Sequence, residues 1–129
     1  MARDKPAEIL EVRLYMLAHM PTLVYSGPPG GVRVWRELPH QAEGIYHFFD
    51  TEGDPVYVGK TCNPSQRFLK HRERPWWRGV SLLNHYVVTC YDHPNLPCDR
   101  TMLERTAFQW ESHAIEHLQP RENIVGVRI

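Results

Sequence analysis

Two tripeptides constrain this chain more than anything else in it: Gly44-Ile45-Tyr46 and Tyr57-Val58-Gly59, with Asp50-Thr51-Glu52-Gly53-Asp54-Pro55 between them. Ile45, Tyr46, Phe48 and Phe49 have strand character, as do Val56, Tyr57 and Val58. The Asp/Gly/Pro cluster between the two runs is turn chemistry. The pattern predicts a β-hairpin that brings Tyr46 and Tyr57 close together on neighbouring strands. Aromatic pairs on adjacent strands commonly just pack, so the hairpin by itself implies no chemistry.

The residues that follow give it direction. Asn63 before Pro64 is a helix start, with Asn as the N-cap and Pro in the first turn. Arg67 and His71 in that helix are four residues apart and share a face. A second helix is expected over 100–118, opened by Asp99 or by a Thr101/Glu104 capping box, and stopped by Pro120. It carries Glu111, twelve residues before Asn123. The run 84–91 reads as a strand, 75–79 and 92–97 as loops.

Upstream, 6–20 reads as an amphipathic helix with Ile9, Leu10, Val12, Leu14, Leu17 and Ala18 on one broad face. Residues 22–25 and 32–35 read as two short strands joined by Ser26-Gly27-Pro28-Pro29-Gly30-Gly31, a second hairpin.

Taken in order, Gly44-Ile45-Tyr46, Tyr57-Val58-Gly59, Arg67, His71, Glu111 and Asn123 resemble the GIY-YIG nuclease family, over residues 43 to 124. The resemblance implies an α/β (α+β) fold with a β-β-α-β-α core: a central three-stranded antiparallel sheet flanked by helices. Residues 1–129 form one domain in this reading. It comprises an N-terminal helix and hairpin addition (1–42) and the nuclease core (43–124). The addition would brace the core, contact DNA, or join a second copy or another protein.

The resemblance also implies a divalent-metal-dependent endonuclease that hydrolyses DNA to 5′-phosphate and 3′-hydroxyl ends. Glu111 would hold one Mg²⁺ or Mn²⁺, a role a single carboxylate can fill because Mg²⁺ keeps several waters and takes phosphate oxygens as ligands. Arg67 would clamp the phosphate, since a guanidinium binds two oxygens at once. Tyr46 would activate water and Tyr57 would position the phosphate, or the reverse. A tyrosine with an ordinary pKa of about 10 needs nearby positive charge to act as a base, and Lys60, Arg67 and the metal are its expected sources. His71, with an unperturbed pKa near 6.5, competes for the role. Gly44, Gly59, Lys60 and Asn123 would support the site.

The chain carries 15 basic and 15 acidic side chains and no net charge, which argues against indiscriminate coating of DNA. Charge is nevertheless uneven. Lys60, Arg67, Lys70, Arg72, Arg74 and Arg78 form a basic stretch opposed only by Glu73, with Trp76 and Trp77 inside it. These residues are the expected nucleic-acid contacts. The two tryptophans would stack on bases, or else anchor the core. Cys90, His93 and Cys98, with His85, His113 or His117, have the flavour of a zinc set but match no complete pattern. Three cysteines, no apolar run of membrane-spanning length and no signal-peptide pattern are what a soluble, cytoplasmic protein would show. The rival reading is a nuclease-derived nucleic-acid-binding module, or a nuclease subunit that needs a partner.

Overall fold

A computed structural model describes residue 16, residues 19–89 and residues 99–123. Four strands form one antiparallel sheet: β1 (Pro21–Gly27), β2 (Glu43–Asp50), β3 (Pro55–Thr61) and β4 (Val80–Val88), in the spatial order β1-β4-β2-β3. The helices are α1 (Val32–Glu37), α2 (Pro64–Arg72) and α3 (Arg100–Leu118), and a 3₁₀ turn spans Pro75–Gly79. Among the described residues no helix is long and apolar enough to cross a membrane.

The β2–β3 hairpin forms where the sequence puts it, with Tyr46 opposite Gly59 and Phe48 opposite Tyr57. Alternation along β2 sorts its side chains between two layers. Tyr46 and Phe48 point into a core shared with Trp35 of α1, Phe68 of α2 and Leu83 of β4. Ile45 points the other way, into a second core with Val58, Val88 and Ala107 of α3. The sheet is thus covered on one side by α1, α2 and the 3₁₀ turn, and on the other by α3. This is the mixed α+β layering that the GIY-YIG resemblance implies. Asn63 caps α2, its side chain accepting from the Gln66 amide at 3.1 Å, and Asp99 caps α3, accepting from Met102 at 2.8 Å.

The N-terminal region departs from expectation in two ways. Residues 32–35 are helical, not extended. Four residues are too few to separate the two periodicities, and burial decides: the short helix drives Trp35 fully into the core, edge-on to Phe68 at 5.8 Å, with its indole nitrogen donating to the Pro29 carbonyl at 2.8 Å. There is therefore no local hairpin. β1 instead pairs with the distant β4, from Pro21 opposite Val88 to Gly27 opposite Leu83, and extends the expected three-stranded sheet to four. β4 also begins earlier than expected, at Val80, because Leu83 and Val80 are needed in the core. The 6–20 helix falls, except for helical Met16, outside the residues described or described as helix. Cys90, His93, Cys98 and the 92–97 loop also lie outside the described residues.

The outer edge of β3 is closed by residues 121–123. The amides of Arg121 and Glu122 donate to the carbonyls of Pro55 and Val56 at 3.4 and 3.0 Å. Asn123 completes the pairing with its side chain: Oδ1 accepts from the Val58 amide at 2.7 Å, and Nδ2 donates to the Val58 carbonyl at 2.8 Å. An Arg121–Asp50 ion pair at 2.9 Å ties the same segment to the end of β2.

Candidate active site

The sheet register builds the site around one hydroxyl. Tyr46 lies on β2 with Gly59 across from it on β3 and His85 across from it on β4. A Cβ on Gly59 would land on the Tyr46 phenol oxygen, so only glycine there leaves the ring its place. A Cβ on Gly44 would come within 2.8 Å of His85 Nε2 and 2.9 Å of the Thr61 carbonyl, so that glycine makes room for His85. Both glycines act through close approach rather than unusual backbone angles.

Helix α2 supplies the other half. Its Arg67–His71 face is turned toward the hairpin, and the buried Tyr46 hydroxyl lies 2.6 Å from His71 Nε2. Arg67 donates from Nε to the Tyr46 oxygen at 3.0 Å and from Nη2 to the Tyr57 oxygen at 3.3 Å. One guanidinium therefore spans both tyrosines. Tyr57 also packs against His71, with ring centroids 4.6 Å apart.

The ionisation of the site follows from burial. The His71 imidazole is pushed down to about 3 by desolvation, with the Arg67 and Arg74 charges adding to the effect. It is neutral at physiological pH, and its Nε2 can accept the phenolic proton of Tyr46. Tyr46 itself does not follow the sequence expectation. Burial raises its pKa well above the ordinary phenol value, and the Arg67 charge offsets only part of that rise. Lys60 is engaged elsewhere, bonded to Glu43 at 3.1 Å across β2 and β3. Desolvation wins because the Tyr46 side chain is fully buried, its ring packed against Phe48, Phe68 and His85. In this enclosure Tyr46 is a neutral phenol at neutral pH.

Glu111 approaches from α3. Its pKa is raised by burial, against the opposing fields of Lys60 and Arg67. No hydrogen bond or ion pair joins its carboxylate to another described residue, although the side chain is half-buried. A half-buried carboxylate without a bonded partner fits a hard cation that takes its other ligands from water and phosphate. Among the described residues there is no group of three or more His, Cys, Asp or Glu that could hold a metal ion, so any cage made by protein alone is ruled out there. His85, His113 and His117 make no such group.

The basic stretch divides. Arg67 is in the site, and the Arg72 guanidinium lies over the Trp35 ring at 5.5 Å. Lys70, Arg74 and Arg78 are exposed, Arg74 near enough for its charge to act on His71, and Lys60 is partly buried in its pair with Glu43. The two tryptophans also diverge. Trp77 meets Trp35 and Phe48 edge-on at 6.0 and 5.2 Å and packs against the core. Trp76 lies parallel to Tyr57 at 5.4 Å. The Asn123 side chain bonds to neither tyrosine; it fixes the β3 backbone at Val58, between Tyr57 and Gly59.

Sequence reasoning missed two members. Glu43 is the partner of Lys60, a diagonal pair that hairpin register alone would have indicated. His85 appeared only as a spare metal ligand, yet it is fully buried against Tyr46 with no hydrogen bond to either ring nitrogen. Burial holds its pKa down at about 4, with His40 contributing.

Over much of its length the chain is similar to curated proteins named UvrABC system protein C. It is 31% identical to that of Rhizobium johnstonii over 90 residues, which is 70% of this chain and 12% of the relative. It is 32% identical to that of Nitrosococcus oceani over 82 residues, 64% of this chain and 13% of the relative. The Chelativorans protein is 32% identical over 92 residues, 71% and 13%. This chain thus matches about an eighth of the length of those relatives. No family model matches it. No solved structure matches it either.

Proposed function

We propose that this chain is a GIY-YIG-type endonuclease that hydrolyses DNA phosphodiester bonds with one divalent metal ion. The observation that carries the reading is the Tyr46 hydroxyl bonded to both His71 and Arg67, with Tyr57 on the second arm of the same guanidinium. Similarity to UvrABC system protein C supports it.

Water attack on a phosphodiester requires a proton acceptor, charge balance on the phosphoryl oxygens and in-line placement. Neutral His71 is the ultimate base. Tyr46 donates its proton to His71 Nε2 as its oxygen takes one from the attacking water, so the phenol is neutral before and after and the charge ends on imidazolium. This route avoids a buried phenolate, which the desolvation of Tyr46 disfavours. A phosphate entering the site brings negative charge that favours the imidazolium and lifts His71 from its low resting value. Arg67 stays charged and turns its guanidinium from the tyrosines to the phosphate oxygens. Tyr57, held between Arg67 and Trp76, orients the scissile group. Glu111 would hold Mg²⁺ or Mn²⁺, which when bound stabilises the developing charge on phosphate and on the departing 3′ oxygen.

The test is single-turnover cleavage of a labelled DNA by wild type, Tyr46→Phe and His71→Ala. Each substitution should lower the rate by roughly 10²–10⁴, the usual worth of a positioned proton-transfer group. Wild-type rates in either variant would remove the relay. Folded wild-type protein that binds DNA but never cuts it, with either metal, would favour the binding-module reading or a subunit awaiting its partner.

A further inference from the structure

Tyr46 and Tyr57 belong to a longer array. Four rings lie nearly parallel across the sheet: His85 on β4, Tyr46 on β2, Tyr57 on β3, and Trp76 on the 3₁₀ turn. Successive centroids are 6.5, 6.1 and 5.4 Å apart, with interplanar angles of 8°, 21° and 11°. Strand pairing sets the first steps, because His85 and Tyr46 are register partners and the missing side chain of Gly59 lets Tyr46 reach toward Tyr57. The array runs from a fully buried end, His85, to a partly exposed one, Trp76.

Trp76 touches Tyr57, His71, Phe48 and Trp77 but makes no ring contact with Tyr46, so it lies beyond Tyr57 as the outer member of the parallel array. Among the described residues no second ring lies parallel to it. Both indoles of the turn pack against the core, Trp77 edge-on to Trp35 and Phe48 and Trp76 face-on to Tyr57, which leaves Trp76 as the end of the parallel array. Exposed Arg74 and Arg78 flank it on the same turn, with charge for a backbone phosphate on either side. An indole rigidly backed on one face, half in water and bracketed by arginines, is built like the platforms on which proteins stack nucleobases.

Resting on the nuclease reading above, we propose that Trp76 is the base-stacking platform of this site, and that its substrate class is DNA with an unpaired nucleotide beside the cut. A base within a duplex already has both faces covered by its neighbours. Only an unpaired, terminal or extruded base can lie on an indole. With Tyr57 between Trp76 and the Arg67 guanidinium, a stacked base sets its own backbone phosphate next to the clamp.

Binding is measured in EDTA with the Glu111→Ala protein, so that nothing is cut, using a fluorescein-labelled single strand and a relaxed duplex minicircle of the same sequence, which has no terminal base. Adding Trp76→Ala should weaken single-strand binding about tenfold, within the roughly 5- to 150-fold that stacking one base is worth, and leave duplex binding within about twofold. Trp76→Phe should recover most of the loss. Equal losses on both DNAs, or none on the single strand, would overturn the platform. A second measurement needs no change at Trp76. Single strands carrying 2-aminopurine at successive positions should be quenched at one position by the otherwise unaltered protein, and uniform or absent quenching would refute the proposal. Position-specific quenching without metal-dependent cutting by wild type would keep the platform and sink the nuclease. Cutting that ignores pairing state would do the reverse.

Discussion

Acid should unfold this domain earlier than its composition would indicate, because it buries imidazoles that must stay neutral. His71 is held at about 3 and His85 at about 4, against an ordinary value of 6.5, both chiefly by desolvation. A base with a depressed native pKa binds fewer protons folded than unfolded. Its contribution is therefore intact above pH 6.5 and is lost as pH falls toward the native pKa. At pH 5 the unfolded imidazole is almost fully protonated and the native one is not, which costs about 2 kcal/mol per group. His71 and His85 are both at least nine-tenths buried, so together they cost about 4 kcal/mol, a large part of the roughly 5–15 kcal/mol that holds a domain folded. His47, lowered to about 4 by burial on the opposite face, adds in the same direction with a smaller weight, being less enclosed. Glu111 opposes the trend, since a carboxyl raised by burial favours the folded state as pH falls. Urea denaturation at pH 7 and pH 5 should show the midpoint dropping at nearly constant slope. His85→Leu should remove about half of the drop. His71 and His85 resonances titrating near 6.5 in the native protein, or a midpoint unmoved between the two pH values, would show that burial does not hold these imidazoles neutral.

Gly59→Ala should destabilise the fold by about 1–3 kcal/mol through overpacking and should disable cleavage as well, because the new methyl takes the place of the Tyr46 hydroxyl; urea midpoints and single-turnover rates check both halves. Asn123→Ala should cost about 2–4 kcal/mol, since the Val58 amide and carbonyl are both left unpaired in a buried place. Hydrogen exchange at the Val58 amide should then accelerate well beyond that of β4. Replacing Tyr57 by Phe should weaken cleavage less than replacing Tyr46, because Tyr57 holds only the longer Arg67 contact at 3.3 Å and has no bond to His71.

Local chemistry made much of this legible in advance. The hairpin, the Asn63 cap and the α3 helix follow from turn residues, caps and periodicity, all short-range signals. The convergence of Tyr46, Tyr57, Arg67 and His71 followed from the resemblance and from the four-residue spacing on α2. What stayed hidden depended on distant pairing. Nothing near Pro21 announces that β1 will seek β4, and nothing in Val32-Arg33-Val34-Trp35 reveals that burying one indole outweighs strand propensity. The state of Tyr46 was hidden for the same reason. Neighbouring charges are visible in a sequence, whereas the enclosure that raises a pKa is assembled from β2, α2 and β4 together. His85 belongs to that enclosure, and only the β2–β4 register brings it to the tyrosine.

The central claim is metal-dependent hydrolysis at this cluster, and nicking of supercoiled plasmid alongside a labelled single strand tests it most directly. Wild type and Glu111→Ala are compared in Mg²⁺, in Mn²⁺ and in EDTA. The account predicts cleavage by wild type with metal, none in EDTA, and loss of at least a hundredfold on Glu111→Ala in protein that still binds DNA. Equal cleavage by both proteins, or cleavage that persists in EDTA, would contradict it.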